Sequence, residues 1–173
     1  MALEKYIRDV PDFPIEGIMF KDITTLLKDP VGYKEGLKQL YEHVKDKGVT
    51  KIVGIESRGF IYGGALAALL GIGFVPVRKP GKLPAETISE SYTLEYGINT
   101  IEIHKDALQP GDKVLIHDDL LATGGTMEAA VKLVKKLGAE VSQISFIIEL
   151  DFLNGRGKIK DYDVVSLIHY SGE

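Results

Sequence analysis

Hydrophobic and polar positions along this chain change period several times, and each change marks an element. The N-terminal stretch MALEKYIRDVPDFP predicts a short helix near Leu3 to Arg8, stopped by a turn-rich run from Val10 to Gly17 that reads as an arm or lid. Asp29-Pro30 then places an N-cap residue before a proline at the first helical position. Tyr33, Leu37, Leu40, Tyr41 and Val44 follow at helical spacing until Gly48 ends the run. Lys51 to Ile55 (KIVGI) is a strand, GALAALLG a buried helix closed by Gly71, and Phe74 to Val77 a second strand. Strand, helix, strand alternation of this kind predicts a parallel sheet with right-handed crossovers, so the fold class is α/β.

The pattern loosens from Arg78 to Gly97, which is basic and Pro/Gly-rich at first, then rich in Thr, Ser and Tyr without an apolar face. This segment predicts a long loop leading into a β-hairpin, with Ile98 to His104 as the alternating return strand. After the turn Gln109 to Asp112 a β-branched strand begins at Val114. From Thr126, the residues Met127, Ala130, Val131, Val134 and Leu137 mark the buried face of a helix that Gly138 terminates. Glu128 and Lys132 form an i,i+4 pair on its exposed side. Strands at Glu140 to Glu149 and Asp163 to Ile168 complete the sheet, with Arg156 to Lys158 in a turn or short helix between them.

Composition narrows the class. A chain of 173 residues suits one compact domain, and a net charge of −4 argues against a nucleic-acid binder held by bulk electrostatics. Any phosphate site must therefore be local. Cysteine is absent, which removes disulfides, thiolate nucleophiles and cysteine metal sites; the four histidines, His43, His104, His117 and His169, lack ligand spacing. The N-terminus carries alternating charge and no apolar signal segment, so a cytoplasmic location is expected. Gly59 to Val77 is uncharged over a length that could span a bilayer, but its five glycines and proline divide it into a buried helix and a strand. No membrane partner is expected.

The most informative stretch is Val114 to Thr126, VLIHDDLLATGGT. It runs from an apolar strand through an acidic pair into a glycine-containing loop at the start of a helix. A helix N-terminus offers backbone N–H groups and the positive end of the macrodipole, so Thr123-Gly124-Gly125-Thr126 can hold a phosphate by backbone alone. The hydroxyls of Thr123 and Thr126 add donors. Asp118 and Asp119 are placed to accept hydrogen bonds from ribose hydroxyls or to act on Mg²⁺ indirectly. The loop is neither a Walker A sequence nor a dinucleotide fingerprint.

This stretch resembles the phosphoribosyl-pyrophosphate (PRPP) motif of the type I phosphoribosyltransferases, and DDLLATGGT resembles the adenine phosphoribosyltransferase branch in particular. Further motifs follow in family order: the hood at Asp12 to Leu27 with EGIMFKD, ESRGF at Glu56 to Phe60, RKPGKLP from Arg78, SYTLEYG and HKDALQPGDKV. The resemblance implies a type I phosphoribosyltransferase fold: a central, mainly parallel twisted sheet flanked by helices, with a small N-terminal hood and a flexible β-hairpin loop. Residues 1–173 would form a single domain, with the hood at 1–27, the core at 28–173 and a mobile catalytic loop at about 79–97.

The implied reaction transfers the 5-phosphoribosyl group of PRPP to adenine, giving AMP and diphosphate, with Mg²⁺ held through PRPP and not by direct protein ligands. By motif matching, Ala122, Thr123, Gly124, Gly125 and Thr126 bind the 5′-phosphate, and Asp118 and Asp119 the ribose hydroxyls. Glu56, Ser57 and Arg58 form a pyrophosphate loop, for which the family implies a cis peptide at Glu56–Ser57. Arg78, Lys79 and Lys82 add positive charge on the pyrophosphate side, partly across the interface of an implied homodimer. Glu95 is the implied acid/base group at a ring nitrogen of adenine, with Tyr96 closing the site against water. Met19, Phe20 and Lys21 belong to the adenine hood. Met19 and Lys21 would read the base through their main chains, and Met19 and Leu120 would sandwich its ring.

Bland readings exist for the same residues: Arg58 as a strand-end partner of Glu56, RKPGK as a solvated turn, Glu95 as an exposed loop carboxylate. Two other functions compete. A phosphoribosyltransferase for a 6-oxopurine needs a side-chain donor such as lysine on the strand after the PRPP helix, and Val141 to Glu149 contains none. A non-catalytic PRPP-sensing regulator would carry an added DNA-binding segment, for which this length leaves no room.

Overall fold

The computed structural model describes residues 2–94 and 97–172. Its centre is a five-stranded sheet in the order β4 (Gly73–Val77), β3 (Lys51–Ile55), β7 (Lys113–Leu121), β8 (Glu140–Leu150) and β9 (Val164–Tyr170), in which every neighbouring pair is parallel. In chain order, a 3-10 turn at Glu4–Tyr6 precedes β1 (Arg8–Val10) and β2 (Phe20–Asp22), which pair antiparallel; α1 (Thr24–Lys28) and α2 (Pro30–Val44) follow. Then come β3 (Lys51–Ile55), α3 (Glu56–Leu70), β4 (Gly73–Val77), the hairpin strands β5 (Thr87–Leu94) and β6 (Gly97–His104), and β7 (Lys113–Leu121). The chain closes with α4 (Gly125–Lys136), β8 (Glu140–Leu150), 3-10 turns at Asp151–Leu153 and Gly155–Ile159, and β9 (Val164–Tyr170).

Local chemistry accounts for most boundaries. The Asp29 side chain accepts from Val31 N at 3.0 Å and Gly32 N at 2.8 Å, capping α2 behind Pro30. Sheet residues alternate between two cores. Val53, Val114 and Ile116 face one core with α4 and the hairpin, while Ile52 and Leu115 face the other with α1, α2 and α3. Both faces are therefore covered, which is why the strands read as continuous apolar runs. Among the described residues, no helix is long and apolar enough to cross a membrane; the uncharged run from Gly59 divides into α3 and β4.

Three expectations are corrected. The N-terminal helix shrinks to a single 3-10 turn, because Arg8 to Val10 pair with Phe20 to Asp22; Arg8 also reaches Asp22 through its guanidinium, with Nε at 3.0 Å. The ESRG stretch is the first turn of α3, with no loop before it. The Glu56–Ser57 peptide is trans, and among the described residues the cis peptide is Phe13–Pro14. The change of direction from β3 into α3 is made instead by Glu56 at φ 49°, in the left-handed region.

Strand order locates the site. From β3 the chain moves through α3 to β4 on one side, whereas β7 lies on the other, so the connections diverge between β3 and β7. In open parallel sheets a crevice forms at such a switch point, outside the carboxyl ends of the strands. Here those ends carry Glu56 to Arg58 and Asp118 to Thr126.

Candidate active site

A cleft of about 480 Å³ occupies that switch point, lined by Glu56, Ser57, Arg58, Lys79, Tyr92, Asp118, Asp119, Leu120 and Thr126 among others. Beside it a smaller recess is formed by Ala122, Thr123, Gly124, Gly125 and Thr126, with Asp118 and Leu120 at its edge. The structure thus gathers the predicted ribose, phosphate and pyrophosphate residues, which lie up to 70 positions apart between Glu56 and Thr126, into one place.

The phosphate recess follows from α4. Gly124 adopts φ 84° as the residue before the helix, and Glu128 N–H donates to Gly124 O at 2.9 Å as the first helical bond. Helical geometry leaves the amides before Glu128 without carbonyls of their own helix, and they point out of its N-terminus. A side chain at Gly124 would be strained by its φ and would run into the backbone of Gly155, whose Cα lies 3.2 Å from where a Cβ would stand. The side chain of Thr126 donates to Tyr92 Oη at 2.8 Å, and the Tyr92 ring lies against Gly125. Tyr92 was not singled out from sequence, since only the folding of β5 over α4 brings it to the loop.

The acidic pair splits in its roles. β7 runs through both residues to Leu121, and both line the cleft, but with different partners. Asp118 Oδ1 accepts the Asp119 N–H at 2.8 Å. Burial, reinforced by the Asp119 carboxylate beside it, pushes the Asp118 carboxyl well above the usual carboxylate range. Asp119 Oδ2 lies 2.9 Å from Arg58 Nε. α3 comes close enough to allow this because Gly59 has no side chain: a Cβ there would stand 3.0 Å from His117 O. His117, one residue earlier, is fully buried with Nδ1 2.9 Å from Ser145 Oγ, and burial pushes its pKa down to about 4, so it stays neutral.

The cationic residues separate. Arg58 is half-exposed, spans from Asp119 to the Phe20 ring, whose centroid is 5.5 Å from the guanidinium carbon, and so joins hood and cleft. Glu56 pairs with Arg78 at 3.5 Å, not with Arg58, and also accepts the Lys79 N–H at 2.6 Å. These contacts hold Glu56 in its left-handed conformation, which costs of order 1–3 kcal/mol for a residue with a side chain. Arg78 also stacks over Phe60, at 5.5 Å, and does not line the cleft; Lys79 does, and Lys82 is exposed in the loop beyond.

In the hood, Met19 and Phe20 are half-buried, and Phe20 packs edge-on against Phe13 at 5.0 Å. The Lys21 side chain is buried away from the cleft, paired with Asp9 at 2.8 Å and over the Tyr170 ring at 4.2 Å, which anchors the hood to β9. Leu120 lines the cleft. Glu95 and Tyr96 lie outside the described residues. Sequence reading also missed a polar cluster behind the phosphate loop, where Glu149, Asp151 and His169 bring ligand atoms within 4.8 Å of one another. Glu149 there is taken by Arg156, with Arg156 Nε to Oε1 at 2.9 Å. Spacing across β8 and β9 hides this cluster from any local motif.

Comparison with known proteins agrees with this architecture. The family model for the phosphoribosyl transferase domain matches residues 24–171. The adenine phosphoribosyltransferase of Koribacter versatilis is 56% identical over 169 residues, covering 98% of this chain and 93% of the relative. Among solved structures, adenine phosphoribosyltransferase from Thermoanaerobacter pseudethanolicus superimposes with a TM-score of 0.94 at 52% identity, covering 97% of this chain and 98% of that one. The Saccharomyces cerevisiae enzyme, solved with adenine and an imino-altritol bisphosphate, gives a TM-score of 0.89 at 42% identity, over 95% and 96% of the two chains. With a parallel sheet, a switch-point cleft and a glycine loop at the N-terminus of α4 in place, the chain belongs to the phosphoribosyltransferase family, in its adenine phosphoribosyltransferase branch.

Proposed function

We infer that this chain transfers the 5-phosphoribosyl group of PRPP to adenine, releasing diphosphate and forming AMP. The observation that carries this reading is the union, in one cleft, of a backbone phosphate recess at α4 with the carboxylates of Asp118 and Asp119 and the cations Arg58 and Lys79. The reaction breaks the C1–O bond to pyrophosphate and makes a C1–N bond, through a transition state with oxocarbenium character. Catalysis then needs positioning and charge stabilisation and no covalent protein intermediate.

In this mechanism Ala122 to Thr126 hold the 5′-phosphate, and Asp118 and Asp119 accept from the ribose hydroxyls. Ser57, Arg58 and Lys79 face the pyrophosphate, with Glu56 shaping the turn and Arg78 and Lys82 adding charge from the loop. On arrival of pyrophosphate, Arg58 exchanges its Asp119 partner for a phosphate oxygen, which frees Asp119 for the ribose. Met19, Phe20, Lys21 and Leu120 form the adenine side, with Met19 and Lys21 reading the base through their main chains and Leu120 lining the cleft. Glu95 serves as acid/base group and Tyr96 excludes water; residues 1–27 act as hood, 28–173 as core and about 79–97 as the closing loop.

The carboxylates around the cleft are committed: Asp119 to Arg58, Glu56 to Lys79 N–H and Arg78, and Asp118 to the Asp119 N–H. That donor set fits Mg²⁺ carried in by PRPP better than a cage of protein ligands. When bound, the ion supplies charge neutralisation on the leaving group. A homodimer and a cytoplasmic location complete the reading, on the family resemblance. The deciding assay presents the purified protein with Mg²⁺-PRPP and each of adenine, hypoxanthine, guanine and xanthine. AMP formation from adenine is expected, and activity confined to a 6-oxopurine would overturn the proposal.

A further inference from the structure

The phosphate recess has a second wall behind it, and that wall is backbone. A Cβ added at Gly155 would overlap Ala122 O and stand 3.0 Å from Gly124 N, so the turn after β8 touches the loop with no side chain between them. The turn is shaped by Asn154 at φ 51° and by Gly157 N–H donating to Asn154 O at 3.1 Å. Its next residue, Arg156, is tied down three ways: Nε to Glu149 Oε1 at 2.9 Å, Nη2 to Glu149 Oε2, and Nη1 to Val164 O at 2.9 Å. Ser166 Oγ donates to Glu149 Oε2 at 2.6 Å, so both carboxylate oxygens are taken. Burial by itself would raise the Glu149 carboxyl, but these hydrogen bonds and the Arg156 charge outweigh it and hold the group ionised.

Glu149 is also beside the front of the loop. In the β7–β8 ladder it pairs with Leu121, the last strand residue before Ala122. One nearly buried carboxylate, 4% exposed, therefore sets the end of the strand that leads into the phosphate loop and, through Arg156, the turn that backs it. We propose that Glu149 and Arg156 are positioning residues for the donor substrate, holding Gly155 against Ala122 and Gly124 so that the loop amides keep the geometry a phosphate requires. Neither residue touches substrate. Only the Glu149 end of this ion pair is buried, Arg156 being 40% exposed, so its net stabilisation is small, and amides fixed in the backbone lose their geometry when the backbone is displaced.

The inference rests on the reading that Ala122 to Thr126 bind the 5′-phosphate. Its test compares Arg156→Lys, which keeps the charge but loses the two-pronged bond, Ser166→Ala, which removes one hydrogen bond, and Gly155→Ala, which pushes directly on Ala122. For each, KM for PRPP, KM for adenine, kcat, thermal midpoint and equilibrium binding of ribose 5-phosphate are measured. Arg156→Lys and Gly155→Ala are expected to raise KM for PRPP and weaken ribose 5-phosphate about tenfold, the scale of one charge-assisted hydrogen bond. KM for adenine and kcat at saturating PRPP should stay within about twofold, since a positioning role splits KM from kcat. Ser166→Ala, the mildest change, gives the same split at smaller size and serves if either of the others does not fold. A folded variant with unchanged PRPP affinity, or one in which both substrates and the thermal midpoint fall together, would overturn the proposal. If the unaltered enzyme does not bind ribose 5-phosphate at all, it is the phosphate-loop reading that fails.

Discussion

The two ends of the cleft are built on different principles. At the phosphate end, Gly124 to Thr126 present backbone amides at a helix N-terminus, with the Gly155 turn packed behind them. At the end proposed for pyrophosphate the charged side chains are already paired, Arg58 with Asp119 in the cleft and Arg78 with Glu56 just outside its lining. The first end is rigid and preformed, so substrate finds its donors in place. In the proposed reaction the second exchanges partners as substrate binds, and each exchange trades one ion pair for another at small net cost. On the proposed function, a preformed anchor would fix the ribose phosphate while a switchable set of charges would accept and release the leaving group.

Removing the two carboxylates proposed for the ribose should have the largest effect. Asp118→Ala combined with Asp119→Ala is expected to lower kcat/KM for PRPP by about 10² to 10⁴, from two hydrogen bonds of roughly 1.5–3 kcal/mol each; a normal KM for PRPP would contradict the ribose assignment. Glu95→Gln should lower kcat by about 10² with PRPP binding nearly intact, as expected for general acid/base catalysis. Unchanged turnover removes Glu95 from that role. At the switchable end, Arg58→Ala should cost about tenfold in kcat/KM, because Lys79 remains in the cleft and part of the lost charge attraction is screened. A loss as large as that of the aspartate pair would mean that the two ends do not differ as described.

The smallest effect concerns stability. The Asp118 carboxyl titrates above its ordinary value in the folded chain, so the folded state binds the proton more tightly than the unfolded state does. Its contribution is present below the ordinary pKa near 3.8 and is lost as pH rises through the raised value. Asp118→Asn should therefore raise the thermal midpoint at neutral pH relative to the unaltered protein and narrow that gain toward pH 4, while weakening PRPP. Thermal melts across that range check the sign, and a variant less stable at pH 7 would refute the burial argument.

Much of this was legible along the chain because it is local. KIVGI became β3 with the bounds read from its residues, Asp29-Pro30 capped α2 as its chemistry requires, and the Thr123 to Thr126 loop lies at the start of α4. Glu56 shows where local reading stops. Its family motif implied a cis peptide, whereas the turn is made by φ 49° and held by Lys79 N–H, a partner 23 residues away. The helix expected at Leu3 to Arg8 failed for a similar reason, since its end is drawn into pairing with β2 and only the turn Glu4–Tyr6 remains of a weak local helix signal.

Sequence by itself determined the alternation of strands and helices, the Asp29 cap of α2 and the glycine loop that opens α4. Each depends on side-chain period or on residues within a turn of one another. Tertiary structure alone decided which cation meets which carboxylate, that Tyr92 covers Gly125 and Thr126, and that Glu149 and Arg156 stand behind the loop. Those contacts join segments far apart in the chain, and no local pattern constrains a pairing whose geometry exists only once the sheet has formed.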